Sequence, residues 1–114
     1  MITVDQLKQF GANTEEGLAR CFGNEALYLK LVSAVPAEGS FQALKEAVDA
    51  NDLQKGFEAA HALKGVLGNL SLTPLYEKAS EITELLRGKT QADYGKLIDE
   101  LFAQKDELDK LCQG

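Results

Sequence analysis

The chain has 114 residues, a length that suits one domain, 1–114, with a core of its own. Apolar residues make up 45% and charged residues 26%, a globular balance and not that of a disordered chain. The net charge of -6 excludes the basic surface that nucleic acid requires, and no apolar run approaches the roughly 18 residues that span a bilayer.

Asp5–Phe10 reads as a short amphipathic helix stopped by Gly11. Asn13 or Thr14 caps the next, which runs to about Phe22 with Glu15 and Glu16 at its positive end before Gly23 interrupts it. Asn24 restarts a helix from Glu25 to Val35, with Leu27, Leu31 and Val35 four apart, and Pro36 ends it. Ser40 caps a helix from Phe41 to Ala50 whose inward positions are Phe41, Leu44 and Val48. Asn51 and Asp52 form a turn, and Asp52 caps a central helix over Leu53–Leu70. Thr73-Pro74 marks the start of a helix to Arg87, with a capping hydroxyl followed by proline at the first helical position. Its buried positions are Leu75, Ala79, Ile82 and Leu86, and Gly88 stops it. Thr90 caps the last helix, Gln91–Leu111, with Tyr94, Leu97, Leu101, Leu108 and Leu111 on one side. Four long amphipathic helices with short connections imply an all-α fold, an antiparallel four-helix bundle, with the short extra helices at the N-terminus capping one end.

The central helix holds the sole histidine, His61, with Lys64, Gly65 and Gly68 three, four and seven residues on. Those spacings place all four on one helical face. Stepping about 100° per residue from Phe57, the side chains Leu53, Ala60, Leu63, Leu67 and Leu70 cluster between about 220° and 320°, and the four lie along the solvent edge of that stripe. Glycine inside a helix costs about 1 kcal/mol relative to alanine, so two beside one histidine imply that something comes close to that surface.

One histidine cannot build a multi-histidine metal site, and no cysteine or carboxylate cluster stands near it in sequence. Gly65 and Gly68 do not follow a strand, so they form no phosphate loop and autonomous ATP binding is not expected. Cys21 and Cys112 show no CxxC spacing and read as free thiols in a reducing compartment; a Cys–His nucleophile pair would need the fold to bring one of them to His61. What remains for a solvent-edge imidazole is nucleophilic attack on a phosphoryl group, with Lys64 placed to offset the charge of the product.

The run His61-Ala62-Leu63-Lys64-Gly65 resembles the HxLKG signature of histidine-containing phosphotransfer (HPt) domains. The resemblance extends over nearly the whole chain through Phe22-Gly23-Asn24-Glu25, Asp52-Leu53 and Gly68-Asn69-Leu70. It implies a phosphorelay carrier, not an enzyme, in which His61 accepts the phosphoryl group, Lys64 supports it, and Gly65, Gly68 and Asn69 belong to the docking surface. Glu58, one turn before His61, either hydrogen-bonds the imidazole or stays a solvated carboxylate on that surface. The implied partners are response-regulator receiver domains and a sensor or hybrid histidine kinase; the carrier needs no cofactor, and magnesium sits on the receiver. Many family members carry glycine ten residues after the histidine, where this chain has Ser71. A cytoplasmic monomer is expected; no signal peptide is visible, and the initiating Met1 with the short tails favours a free-standing protein. Two other readings share much of this surface: a bundle that docks on a receiver or kinase without being phosphorylated, and a helical scaffold that dimerises through an apolar stripe.

Overall fold

Seven α-helices and one 3-10 turn make up the regular structure of residues 2–113, the part of the chain that this computed structural model describes. Met1, on which the free-standing reading leans, lies outside the described residues. Local capping chemistry sets most of the boundaries. Helix α1 (Val4–Phe10) starts at a reciprocal box in which Thr3 Oγ1 accepts from the Gln6 amide and Gln6 Oε1 accepts from the Thr3 amide. It ends at Gly11, whose φ of 109° only glycine adopts cheaply. Asn13 caps α2 (Thr14–Arg20) and Asn24 caps α3 (Glu25–Ala34), each accepting a backbone N–H three residues on. Pro36 sits in a 3-10 turn, Val35–Ala37, that separates α3 from α4 (Gly39–Asp49). Asp52 caps the seventeen-residue α5 (Leu53–Asn69), its carboxylate accepting from the Lys55 amide at 3.1 Å.

Three expected caps fall elsewhere. Glu38, not Ser40, caps α4, and Ser40 lies in the first turn with its hydroxyl donating to the same Glu38 oxygen. Helix α6 (Thr73–Arg87) includes Thr73, whose hydroxyl turns back to the Ser71 carbonyl, while Leu72 occupies the cap position. Helix α7 (Tyr94–Gln113) begins after Gln91, with the Asp93 carboxylate accepting from the Lys96 amide at 3.0 Å in the role expected of Thr90.

Helices α4 to α7 form the bundle: α5 packs between α4 and α6, α6 continues to α7, and α7 returns to α4. The closing α4–α7 seam holds an edge-to-face pair, Phe41 and Phe102, with ring centroids 6.1 Å apart and the Lys105 ammonium over both rings. Leu44, Leu63, Leu67, Ala79, Ile82, Leu101 and Leu108 are fully buried between the helices. On α4 the inward third position is Ala47, with Val48 only half-buried. On α7 Ile98 is buried, while Tyr94, Leu97 and Leu111 lie half-exposed around it.

The largest departure from the sequence expectation is α3. Its buried residues are Tyr28 and Val32, continued by Val35 in the 3-10 turn, whereas Leu27 and Leu31 are 37% and 42% exposed. One hydrogen bond accounts for the rotation: the Tyr28 hydroxyl donates to the Leu70 carbonyl at 2.9 Å, fastening α3 to the end of α5. Gly17 of α2 lies against the same phenol, where an added Cβ would fall 2.5 Å from a ring carbon. The Asn13 amide donates to the Ser71 carbonyl at 2.9 Å, so α2 and α3 are both tied to the α5–α6 junction. That junction is where the face of α5 that carries His61 ends.

Candidate functional site

The apolar stripe of α5 is buried as its periodicity requires, with Ala60, Leu63 and Leu67 at 0% exposure. Its solvent edge therefore turns outward. His61 and Gly65 are exposed, and Lys64 and Gly68 are half-buried beside them. All four line one groove of about 560 Å³ together with the exposed Asn69. The remaining wall comes from other elements: Arg20 and Glu16 of α2, and Tyr76 and Glu77 of α6.

Arg20 binds the wall together. Its Nη1 donates to the Gly68 carbonyl at 3.1 Å and its Nη2 meets Glu16 Oε1 at 2.9 Å. The Gly68 carbonyl also accepts from the Ser71 amide at 3.1 Å, so the guanidinium is a second donor to it and complements the negative end of the α5 dipole. Lys64 is in no ion pair among the described residues, so its ammonium is available to an anion entering the groove.

The two glycines do different work. A Cβ on Gly65 would meet nothing within 4 Å, so the bare backbone there faces open space in the groove. A Cβ on Gly68 would come within 3.0 Å of the Tyr76 ring. Gly68 thus makes room first for a side chain of its own bundle, and a leucine there would disturb the packing of α6 as well as the approach of a partner. Glu58 lies away from the groove, lining a separate concavity with Lys55, Ala59 and Ala62. No hydrogen bond joins it to the imidazole among the described residues; the ring stacks instead on Phe57.

Ser71, the departure from the usual glycine, has a φ of 54°. Glycine is favoured in that left-handed region, which marks the serine as strained. Cys21 is buried, Cys112 is half-buried, both are free thiols, and neither lines the groove. Burial raises the Cys112 thiol above its ordinary pKa, which opposes a nucleophilic role. Among the described residues no group of three or more His, Cys, Asp or Glu side chains is placed to hold a metal ion.

Sequence reasoning missed Arg20, Tyr76 and Phe57. Arg20 approaches Gly68 across 48 residues of chain, and no local pattern signals such a contact. Phe57 was within reach, because it stands one turn before His61 on the same helix.

A family model described as "Hpt domain" matches residues 36–114, which takes in α4 to α7 and leaves α1 to α3 outside. The Phe22-Gly23-Asn24-Glu25 segment therefore stands apart from the matched region. No curated protein and no solved structure matches the chain.

Proposed function

Because this chain belongs to the Hpt domain family, whose members serve histidine phosphotransfer in two-component signalling, we propose that His61 is its phosphoacceptor. The chain would carry a phosphoryl group between the aspartates of two receiver domains, or from a histidine kinase to a response regulator. The observation that carries this reading is the exposed imidazole in an open groove, on a rigid helix, with the Lys64 ammonium on the same face.

The chemistry follows from that arrangement. The unprotonated ring nitrogen of His61 attacks the phosphorus of a partner's aspartyl phosphate. A P–N bond forms as the P–O bond to the carboxyl breaks, and the bond pair leaves with the aspartate as a carboxylate. The ring proton stays on the other nitrogen, and the reverse step regenerates the neutral imidazole. Lys64 stabilises the roughly two negative charges that arrive with the group. Magnesium and the remaining catalytic groups belong to the receiver, so the chain acts as a carrier and not as an enzyme. Gly65 and Asn69 meet the visiting domain, and Gly68 holds the floor beneath it. No helix among the described residues is long and apolar enough to cross a membrane.

Incubation with a phosphorylated receiver tests the proposal. Acid-labile, alkali-stable label is expected on the wild-type chain and not on His61→Gln. Tight docking of the receiver with no label on either chain would establish the non-phosphorylated adaptor instead.

A further inference from the structure

Phe57 and His61 stand one turn apart on α5, and their rings lie almost parallel, with centroids 5.8 Å apart and planes 12° from each other. The Arg87 guanidinium, from the last turn of α6, sits over the Phe57 ring with its carbon 5.2 Å from the centroid. Phe57 is half-buried and packs against the hydrophobic core, so its ring is fixed from below as well as from the side. Among the described residues no hydrogen bond holds the imidazole of His61. An exposed histidine without such a bond ordinarily samples several rotamers. The stack is thus the directional contact that restrains this one, and Arg87 ties it to a second helix of the bundle.

We propose that Phe57, braced by Arg87, is a positioning residue that sets the plane of the His61 imidazole for phosphoryl transfer. The proposal rests on the carrier reading above and adds how the nucleophile is aimed. An in-line displacement requires the nitrogen lone pair to lie along the breaking P–O bond, and a ring already held in one plane loses less freedom on reaching that geometry. Glycines open the approach, Lys64 meets the charge, and the stacked phenyl keeps the acceptor pointed. The contribution belongs to the rate of transfer within the docked complex and not to docking itself, because Phe57 and Arg87 do not line the groove.

Phe57→Leu keeps an apolar side chain against the core but removes the flat face, whereas Phe57→Tyr restores it. Two measurements on the full chain separate the possibilities: 13C relaxation of the His61 ring, and single-turnover transfer from a phosphorylated receiver over a range of receiver concentrations. Phe57→Leu is expected to increase ring motion and to lower the saturating rate about three- to tenfold, the range expected for losing an aromatic pair. The half-saturating concentration should stay within about twofold, and Phe57→Tyr should recover both ring order and rate. Arg87→Gln, at an exposed position that leaves the core intact, should move the same readouts in the same direction by less. An equally ordered ring in Phe57→Leu would overturn the proposal, as would a slow Phe57→Tyr or an effect confined to half-saturation. If the wild-type chain accepts no phosphoryl group, the carrier function fails, and the relaxation measurement still decides whether Phe57 holds the ring.

Discussion

At the scale of single residues the site divides into an exposed imidazole, a charge and a clear approach. His61 is exposed and Lys64 shares its groove without an ion-pair partner among the described residues, so removal of the ammonium should act on the phosphoryl group and little else. Lys64→Ala is expected to slow transfer about tenfold or shorten the life of the phosphorylated form, with an unchanged thermal midpoint, as befits the loss of one charge-assisted contact. Equal rates and lifetimes would remove Lys64 from the mechanism. Ser71 carries a different cost. Its φ of 54° is left-handed, and its buried hydroxyl has no hydrogen-bond partner among the described residues. Ser71→Gly should raise stability by about 1 kcal/mol, the relief of the left-handed strain outweighing the added freedom of the unfolded chain. Chemical denaturation measures it, and a loss of stability would show that the serine is doing something the backbone geometry does not reveal.

At the scale of elements, what the sequence disclosed depended on where the deciding interaction lay. The face of α5 was legible because one helix supplies both its apolar stripe and its chemistry at fixed angular spacing. The Asp52 and Asn24 caps were legible because a cap is a contact over three residues, and at α2 the structure chooses Asn13 from the Asn13 or Thr14 pair. The face of α3 was not. Leu27 and Leu31 keep helical spacing with Val35, as do Tyr28 and Val32, and the choice between them was made by a phenol reaching 42 residues along the chain to the Leu70 carbonyl. The groove's second wall was hidden for the same reason, since α2 reaches it through Arg20, 48 residues from Gly68, and packs on α3 through the bare backbone of Gly17. Burial raises the Tyr28 hydroxyl to about 12, so it remains a donor throughout the neutral range. Gly17→Ala should therefore cost about 1–3 kcal/mol through its clash with the Tyr28 ring, more than the roughly 1 kcal/mol that alanine otherwise adds to a helix. A more stable Gly17→Ala protein would contradict the assigned packing of α2 on α3.

At the scale of the molecule, the bundle is a rigid mount for a face built largely on one helix, and its seams are tested by conditions as well as by substitutions. Lys78 of α6 meets Glu100 of α7 at 2.7 Å. The hydrogen bond that the Lys78 ammonium donates to Glu100 raises Lys78 above the ordinary lysine value and lowers Glu100 below the ordinary carboxylate value. The stability from the depressed carboxylate is present above its unfolded pKa and is lost as pH falls through the folded value. The stability from the raised ammonium is present below its unfolded pKa and is lost as pH rises through the folded value. The stability difference between wild type and Glu100→Gln should accordingly be level through the neutral range and close in acid below about pH 4, as followed by denaturation at a series of pH values. A difference that persisted in strong acid would mean that the pair contributes through packing and not through charge.

The family match covers the bundle from residue 36 onward, and the N-terminal helices complete the groove around the imidazole that the bundle presents. The carrier function stands on that imidazole being reached by another protein's active site. Mapping the modified residue by mass spectrometry after exposure to each phosphorylated receiver of the source organism is the most direct measurement. The phosphoryl group is expected on His61 alone and should pass to a second receiver when one is added. A group mapped to any other residue, or a His61 left unmodified by every receiver, would contradict the account.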